Sequence, residues 1–138
     1  MSTFRHTKQL PVNPAQVFAA MEDPARLARW WGPDGFTNTF ENFEFKPGGQ
    51  WRYVMHGPEG KDYPNHSEFV EIVPAHRVRI KHISLPRYDL TITLEPNAEG
   101  TLLTWVGIFE NETFGEKMRG FLETANEQNL NRLAAELS

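Results

Sequence analysis

The stretch that decides the fold is NETFGEKMRGFLETANEQNLNRLAAEL, residues 111–137 at the end of the chain. Its apolar residues recur at spacings of three and four, which is typical of an amphipathic helix with one buried face. They are Phe114, Met118, Phe121, Leu122, Ala125, Leu130, Leu133 and Leu137. The run Thr113-Phe114-Gly115-Glu116 has the form of a capping box and predicts a helix that begins there. A helix roughly 35–40 Å long needs a multistranded sheet to cover it.

Two glycines, Gly115 and Gly120, interrupt this predicted helix. Each costs about 1 kcal/mol relative to alanine in a helix interior, so a missing side chain must be favoured at these positions. Close packing of the helix on the sheet is one explanation, and an open cavity beneath the helix is the other. We favour packing slightly.

Upstream of this helix, the sequence predicts strands and two short helices. A β-compatible segment, residues 3–12, is followed by two helices that begin with Asn13-Pro14 and Asp23-Pro24, a cap residue followed by proline at the first helical position. We expect these helices at 14–22 and 24–31. From Phe36 the apolar period changes to two, and Gly/Pro-rich turns divide the chain into about six more strands. These predicted strands are 37–45, 50–56, 66–73, 77–85, 88–95 and 101–109. Their short connections predict antiparallel neighbours in one meander.

Alternation along the last predicted strand assigns its two faces. One set points toward the long helix: Leu103, Trp105 and Phe109. The opposite face is also apolar and carries Leu102, Val106 and Ile108. A homodimer would cover these residues, and packing of the short helices at this edge explains them equally well.

Composition excludes several classes of function. The chain has 138 residues, no cysteine and a net charge of −4, so we expect a single domain, 1–138, without disulfides or thiolate ligands. The net negative charge argues against a nucleic-acid partner. No apolar run approaches the roughly 18–20 residues of a membrane span, and the N-terminus lacks a signal-peptide pattern. We therefore expect a cytoplasmic protein with no membrane partner.

No motif for metal, cofactor or nucleophilic chemistry is present. The five histidines show no His-x-x-x-His spacing, although His56 and His66 would meet across a hairpin centred near Lys61. We interpret this as a surface pair and expect no metal. There is no Gly-x-Ser-x-Gly motif and no Gly-rich nucleotide loop after a strand, so we expect neither a serine nucleophile nor a cofactor.

Several short motifs, in the same order along nearly the whole chain, carry a family resemblance. They are Trp30-Trp31-Gly32-Pro33, Lys46-Pro47-Gly48-Gly49 before Trp51-Arg52-Tyr53, Tyr63-Pro64-Asn65, Phe69-Val70-Glu71-Ile72-Val73-Pro74, Gly100-Thr101-Leu102-Leu103-Thr104-Trp105, and Asn129-Leu130-Asn131-Arg132-Leu133. Together they resemble the bacterial homologues of the C-terminal domain of the activator of the Hsp90 ATPase, in the START-like or SRPBCC superfamily. The resemblance implies an α+β helix-grip fold, in which a curved antiparallel sheet of about seven strands wraps a C-terminal helix around a cavity. It supplies no shared catalytic motif, and fold alone does not settle function.

Combining this fold with the inward-facing residues predicts a site for a small hydrophobic or aromatic ligand. The predicted ligand-binding residues are Trp51, Tyr53, Met55, Phe69, His82, Trp105, Phe109, Met118, Phe121, Leu122 and Asn126. Two alternatives stay open. One is a cyclase, dehydratase or hydrolase that uses His82 or a cavity carboxylate such as Glu71, which we place opposite Trp51. The other is a co-chaperone of an Hsp90-type partner, as the family's name suggests.

Overall fold

The computed structural model describes residues 1–138, which form seven strands and four helices. In chain order these are β1 (Ser2–Leu10), α1 (Pro14–Glu22), α2 (Pro24–Trp30), β2 (Thr37–Phe43), β3 (Gly49–His56), β4 (Asp62–Val73), β5 (Arg77–His82), β6 (Tyr88–Asn97), β7 (Gly100–Phe109), α3 (Glu112–Lys117) and α4 (Arg119–Glu136). Asn13 and Asp23 cap α1 and α2, each followed by a proline. The predicted order of elements is confirmed.

The seven strands form one antiparallel sheet with the order β1-β7-β6-β5-β4-β3-β2. Strands β2 to β7 are the predicted meander, and β1 pairs with the free edge of β7. The concave face carries the apolar residues and packs on α1, α2 and α4, which is the predicted α+β helix-grip fold. No helix of the structure is both long enough and apolar enough to span a membrane.

An aromatic cluster fills one end of the space beneath the concave face. The Trp51 ring stacks on the Tyr53 ring at 4.2 Å between centroids and on the Phe69 ring at 5.4 Å. Trp31 contacts Trp51 edge-on at 5.1 Å, and the Trp105 ring lies 5.7 Å from the Trp31 ring. All five side chains are at most 5% exposed. This end of the molecule is therefore closed by close packing, and Trp31 marks its boundary.

The C-terminal segment differs from the single capped helix that the sequence predicts. Asn111, not Thr113, caps the first turn and accepts a hydrogen bond from the Phe114 amide at 2.9 Å. Asparagine is a stronger cap than threonine and comes almost directly after the end of β7. The helix is broken at Met118, whose φ of −97° and ψ of 8° separate α3 from α4. The break lies between Gly115 and Gly120, where helix propensity is lowest.

The two glycines have different surroundings. A Cβ at Gly115 would lie 2.5 Å from the Ser2 side chain, so this glycine lets α3 pack closely on β1. A Cβ at Gly120 would meet nothing within 4 Å. The packing explanation therefore fits Gly115 only.

Strand register corrects two further predictions. The hairpin between β3 and β4 is centred near Glu59, so His56 pairs with Asp62 and His66 pairs with Arg52, and the two histidines do not meet. A register shift between Phe69 and Glu71 turns Glu71 to the convex face. There Glu71 binds Arg77, with Nε to Oε1 at 2.7 Å, and it does not oppose Trp51.

The convex face carries the second apolar set of β7. Leu102, Val106 and Ile108 are half-buried there, beside β1 and β6 residues that include Arg5 and Asp89. Helices α1 and α2 pack elsewhere, on the concave side. A homodimer through these residues stays a prediction.

Candidate functional site

The open end of the concave face, on the other side of Trp31 from the aromatic cluster, contains a cavity of about 480 Å³. We call it the open-end cavity. Its sheet wall includes Met55, Leu90, Trp105, Gly107 and Phe109, and its helix wall runs along α3 and α4 from Phe114 to Asn129. Residues 62–65 at the start of β4 and two loops, residues 31–36 and residues 83–87, complete it. Its volume lies within the range of known small-molecule sites, roughly 300–1,000 Å³.

Helix α4 fixes the first of these loops. The Arg132 guanidinium donates hydrogen bonds to five carbonyl oxygens, and the distances are between 2.7 and 3.2 Å. The acceptors are Arg29, Trp31, Gly32, Pro33 and Phe36. Partial burial lowers the pKa of Arg132, as expected for a guanidinium surrounded by backbone.

Asn129 strengthens the same attachment. Its amide oxygen accepts from the Gly32 amide at 3.2 Å, and its amide nitrogen donates to the Trp30 carbonyl at 2.9 Å. The planar amide of Asn129 and the forked guanidinium of Arg132 both bind backbone atoms of the loop. The position of the loop therefore does not depend on its own side chains. This positions Trp31 at the inner end of the cavity.

The cavity wall contains seven of the eleven predicted site residues: Met55, Trp105, Phe109, Met118, Phe121, Leu122 and Asn126. Phe121 was expected to be buried on the apolar face of the helix, but its side chain is 61% exposed. Leu85, on the opposite loop, is 80% exposed. These two apolar side chains flank the mouth of the cavity.

The remaining four predicted residues do not line the open-end cavity. Trp51, Tyr53 and Phe69 belong to the aromatic cluster, where close packing leaves no comparable space. His82 lies behind Tyr88, whose ring stacks on the imidazole at 4.5 Å and 8°. The phase of all four residues toward the concave face was predicted correctly, but strand alternation does not show which end of that face is open.

His82 is held as a structural residue. Its Nδ1 donates to the Pro86 carbonyl at 2.8 Å, and its Nε2 lies 2.7 Å from the Asn65 amide oxygen. The side chain is 1% exposed. Burial lowers the pKa of His82 and outweighs the hydrogen bond to Pro86, which raises it. Because Pro86 and Asn65 stand between the two ring nitrogens and the cavity space, the geometry gives His82 no path to act as an acid or base there.

Sequence reasoning missed three wall residues with a distinctive role: Trp31, Tyr88 and Gly107. Trp31 belongs to a helix end, and Tyr88 follows a loop, so neither was assigned to the sheet face. Gly107 was detectable, since a glycine inside an apolar strand often marks a position where something approaches closely. A Cβ at Gly107 would meet nothing within 4 Å, although this residue is buried on the concave face.

Charge is scarce in the cavity wall. Asp62 is its one ionisable carboxylate; it is exposed and lies 2.7 Å from His56 Nδ1. No lysine or arginine is present among the wall residues. No group of three or more histidine, aspartate or glutamate side chains converges anywhere in the structure.

A second depression of about 560 Å³ lies on the convex face. Four of its charged residues form two ion pairs with each other. Arg77 binds Glu71, and Arg79 binds Asp89 at 2.8 Å. This surface is therefore explained by cross-strand ion pairs on a solvated sheet face.

A sheet that wraps C-terminal helices around an apolar cavity defines a helix-grip domain, the architecture of a ligand-binding domain. The chain belongs to the Activator of Hsp90 ATPase homolog 1-like protein family, whose model matches residues 11–138. The resemblance seen in the sequence is thereby confirmed. No curated protein matches the chain.

Solved structures share this fold over nearly the whole chain. A solution structure of an Arthrobacter aurescens protein is 28% identical, with a TM-score of 0.90, and the match covers 98% of this chain and 85% of that one. A crystal structure of a Chromobacterium violaceum protein is 26% identical, with a TM-score of 0.86 and coverage of 98% and 96%. The AHSA1 protein of Silicibacter pomeroyi is 25% identical, with a TM-score of 0.81 and coverage of 99% and 97%.

Proposed function

We propose that this protein binds a small hydrophobic or aromatic molecule in the open-end cavity, without a cofactor. The observation that carries the proposal is Gly107. A buried residue on the inner face of a sheet normally packs against other side chains, yet a Cβ at Gly107 would face open space. The adjacent wall is aromatic and aliphatic, and apolar concave sites of this size are the usual small-molecule sites.

The exposed side chains at the mouth support the same proposal. Leu85 and Phe121 are two of only three large hydrophobic residues that are mainly exposed, and both belong to the cavity wall. Exposed apolar side chains that border an apolar cavity lose contact with water when a ligand enters. They therefore add to the apolar area buried on binding.

The test is to fill the cavity from its sheet wall. Gly107 does not have a positive φ, so Gly107→Leu places a side chain in the open space without backbone strain. We expect the affinity for the neutral fluorescent probe N-phenyl-1-naphthylamine to fall at least about tenfold, because the side chain occupies ligand volume. Thermal stability is expected to stay equal or rise, since a leucine side chain in a strand buries more apolar surface than glycine.

Gly120→Ala is the matched control. Gly120 also faces open space, but it is exposed on α4 and does not belong to the cavity wall. This variant is expected to bind the probe as the unmodified protein does. Equal probe affinity in Gly107→Leu, Gly120→Ala and the unmodified protein would show that the open-end cavity is not the binding site.

A further inference from the structure

Most polar side chains of the open-end cavity already have partners within the protein. Asn65 binds the Tyr63 carbonyl through its amide nitrogen and faces His82 with its oxygen. Both ends of the Asn129 amide are bonded to backbone. The Tyr63 hydroxyl donates to Glu59 at 3.1 Å, outside the cavity. These groups are not free to recognise a ligand.

Apart from the exposed Asp62 and the indole groups of Trp31 and Trp105, two polar side chains of the wall are left. The Asn126 amide, on α4, makes no hydrogen bond within the protein, and the Tyr88 hydroxyl, on β6, has only the Tyr53 hydroxyl as a side-chain partner, which leaves it part of its hydrogen-bonding capacity. They belong to the helix wall and the sheet wall, which lie on two sides of the cavity. A polar group with unused hydrogen-bonding capacity at an apolar site fixes the orientation of a ligand and contributes specificity.

Tyr88 belongs to a row of polar residues on adjacent strands beneath the cavity. Cross-strand pairing places Tyr88, His82 and Ser67 next to each other on the concave face. The Ser67 hydroxyl is fully buried and has no hydrogen-bond partner. The hydroxyl of Tyr53 is close to those of Tyr88 and Ser67, and burial raises the pKa of Tyr53 to about 12. All three hydroxyls are therefore neutral donors and acceptors at physiological pH.

We infer that the ligand is an uncharged, mainly apolar molecule with a hydroxyl or carbonyl oxygen, which bonds to Tyr88 on the sheet side and Asn126 on the helix side. This inference rests on the proposed function, because it assigns the ligand class of the same cavity. The wall contains no lysine or arginine to pair with a carboxylate, and its one carboxylate, Asp62, is itself acidic. An unpaired buried anion carries a large desolvation cost. The cavity therefore selects the neutral oxygen compound over the anion of the same shape.

The test compares three compounds that share one ring system. 2-Naphthol, 2-methylnaphthalene and 2-naphthoate differ only in the substituent, and each is titrated as a competitor of N-phenyl-1-naphthylamine. We expect 2-naphthol to bind about 2- to 12-fold more tightly than 2-methylnaphthalene, the gain from one hydrogen bond. 2-Naphthoate is expected to bind at least about 100-fold more weakly than 2-naphthol.

Tyr88→Phe assigns the effect to its hydroxyl. This variant keeps the stack on His82 and the contact with Phe109, and it is expected to remove the preference for 2-naphthol over 2-methylnaphthalene. Thr91→Val is the matched control, because it deletes a hydroxyl from the same strand, β6, on the convex face outside the cavity wall; its preference is expected to be unchanged. Asn126→Leu is expected to reduce the preference in part.

The outcomes separate this inference from the proposed function. Equal binding of 2-naphthol and 2-methylnaphthalene by the unmodified protein, or tight binding of 2-naphthoate, would overturn the assigned ligand class while apolar binding stands. A preference that survives in Tyr88→Phe would also overturn it. Failure of the probe itself and of all three compounds to bind would refute the proposed function and this inference together.

Discussion

Replacing Arg132 by leucine removes the side chain that attaches residues 29–36 to α4. Its guanidinium donates to five carbonyls, at distances from 2.7 to 3.2 Å. A hydrogen bond from a charged donor contributes about 1.5–3 kcal/mol. The five bonds do not add, because they share one donor group and several of the carbonyls regain water in the variant. We therefore expect Arg132→Leu to lower the free energy of unfolding by about 3–5 kcal/mol.

The assay is urea unfolding, followed by tryptophan fluorescence, of three variants and the unmodified protein. Arg132→Lys keeps the charge but cannot reach carbonyls in a planar fork, so it is expected to lose about half as much stability. Asn131→Ala is the control on the same helix; it removes an exposed bond from Lys8 at 2.8 Å and is expected to cost less than about 0.5 kcal/mol. A loss below about 1 kcal/mol in Arg132→Leu would refute the reasoning.

Three further expectations concern stability and assembly. The lowered pKa of His82 means that its neutral form is favoured in the folded state. The free energy of unfolding, measured by urea titration, should therefore fall as the pH drops below about 6.5. His82→Leu should be less stable than the unmodified protein at pH 8 and should lack this pH-dependent fall. Gly115→Ala would place a Cβ 2.5 Å from the Ser2 side chain and should cost about 1–3 kcal/mol, whereas Gly120→Ala should gain up to about 1 kcal/mol; equal melting temperatures would contradict this contrast. If the convex face of β7 forms a homodimer, light scattering should give a dimer mass that Val106→Lys reduces to a monomer, and a monomeric unmodified protein would dismiss the dimer.

The fold was largely predictable because local signals agree with the global structure. Proline after a cap residue marks both short helices, and Gly/Pro turns separate strands whose inward residues alternate. Leu103, Trp105 and Phe109 were assigned to the buried face and are buried. One error came from a single-residue shift. A register shift beside Phe69 turns Glu71 outward, and a strand pattern read with a period of two contains no sign of it.

The candidate site was predictable only in part, since it depends on which end of the concave face is filled. Trp51, Phe69 and Met55 look alike in a strand pattern, but the aromatic residues that close one end come from distant segments, including Trp31 and Phe45. The cavity exists because Gly107 contributes no side chain and α4 extends past the aromatic cluster. Both features depend on packing between residues that are far apart in the sequence, so a strand pattern does not reveal them. His82 shows the same limit, because its partners Asn65 and Pro86 lie on two other parts of the chain.

The most direct test of apolar binding in the open-end cavity uses the indole signals of the four tryptophans. Two of these residues, Trp31 and Trp105, line the cavity, whereas Trp51 is packed in the aromatic cluster and Trp30 is bonded to the Ala20 carbonyl. ¹⁵N-labelled indole groups are to be followed by NMR during titration with N-phenyl-1-naphthylamine. The account predicts saturable shifts that are largest for Trp31 and Trp105 and that disappear in Gly107→Leu. Indole signals that stay unchanged up to the solubility limit of the probe, or that shift most for Trp30, would contradict it.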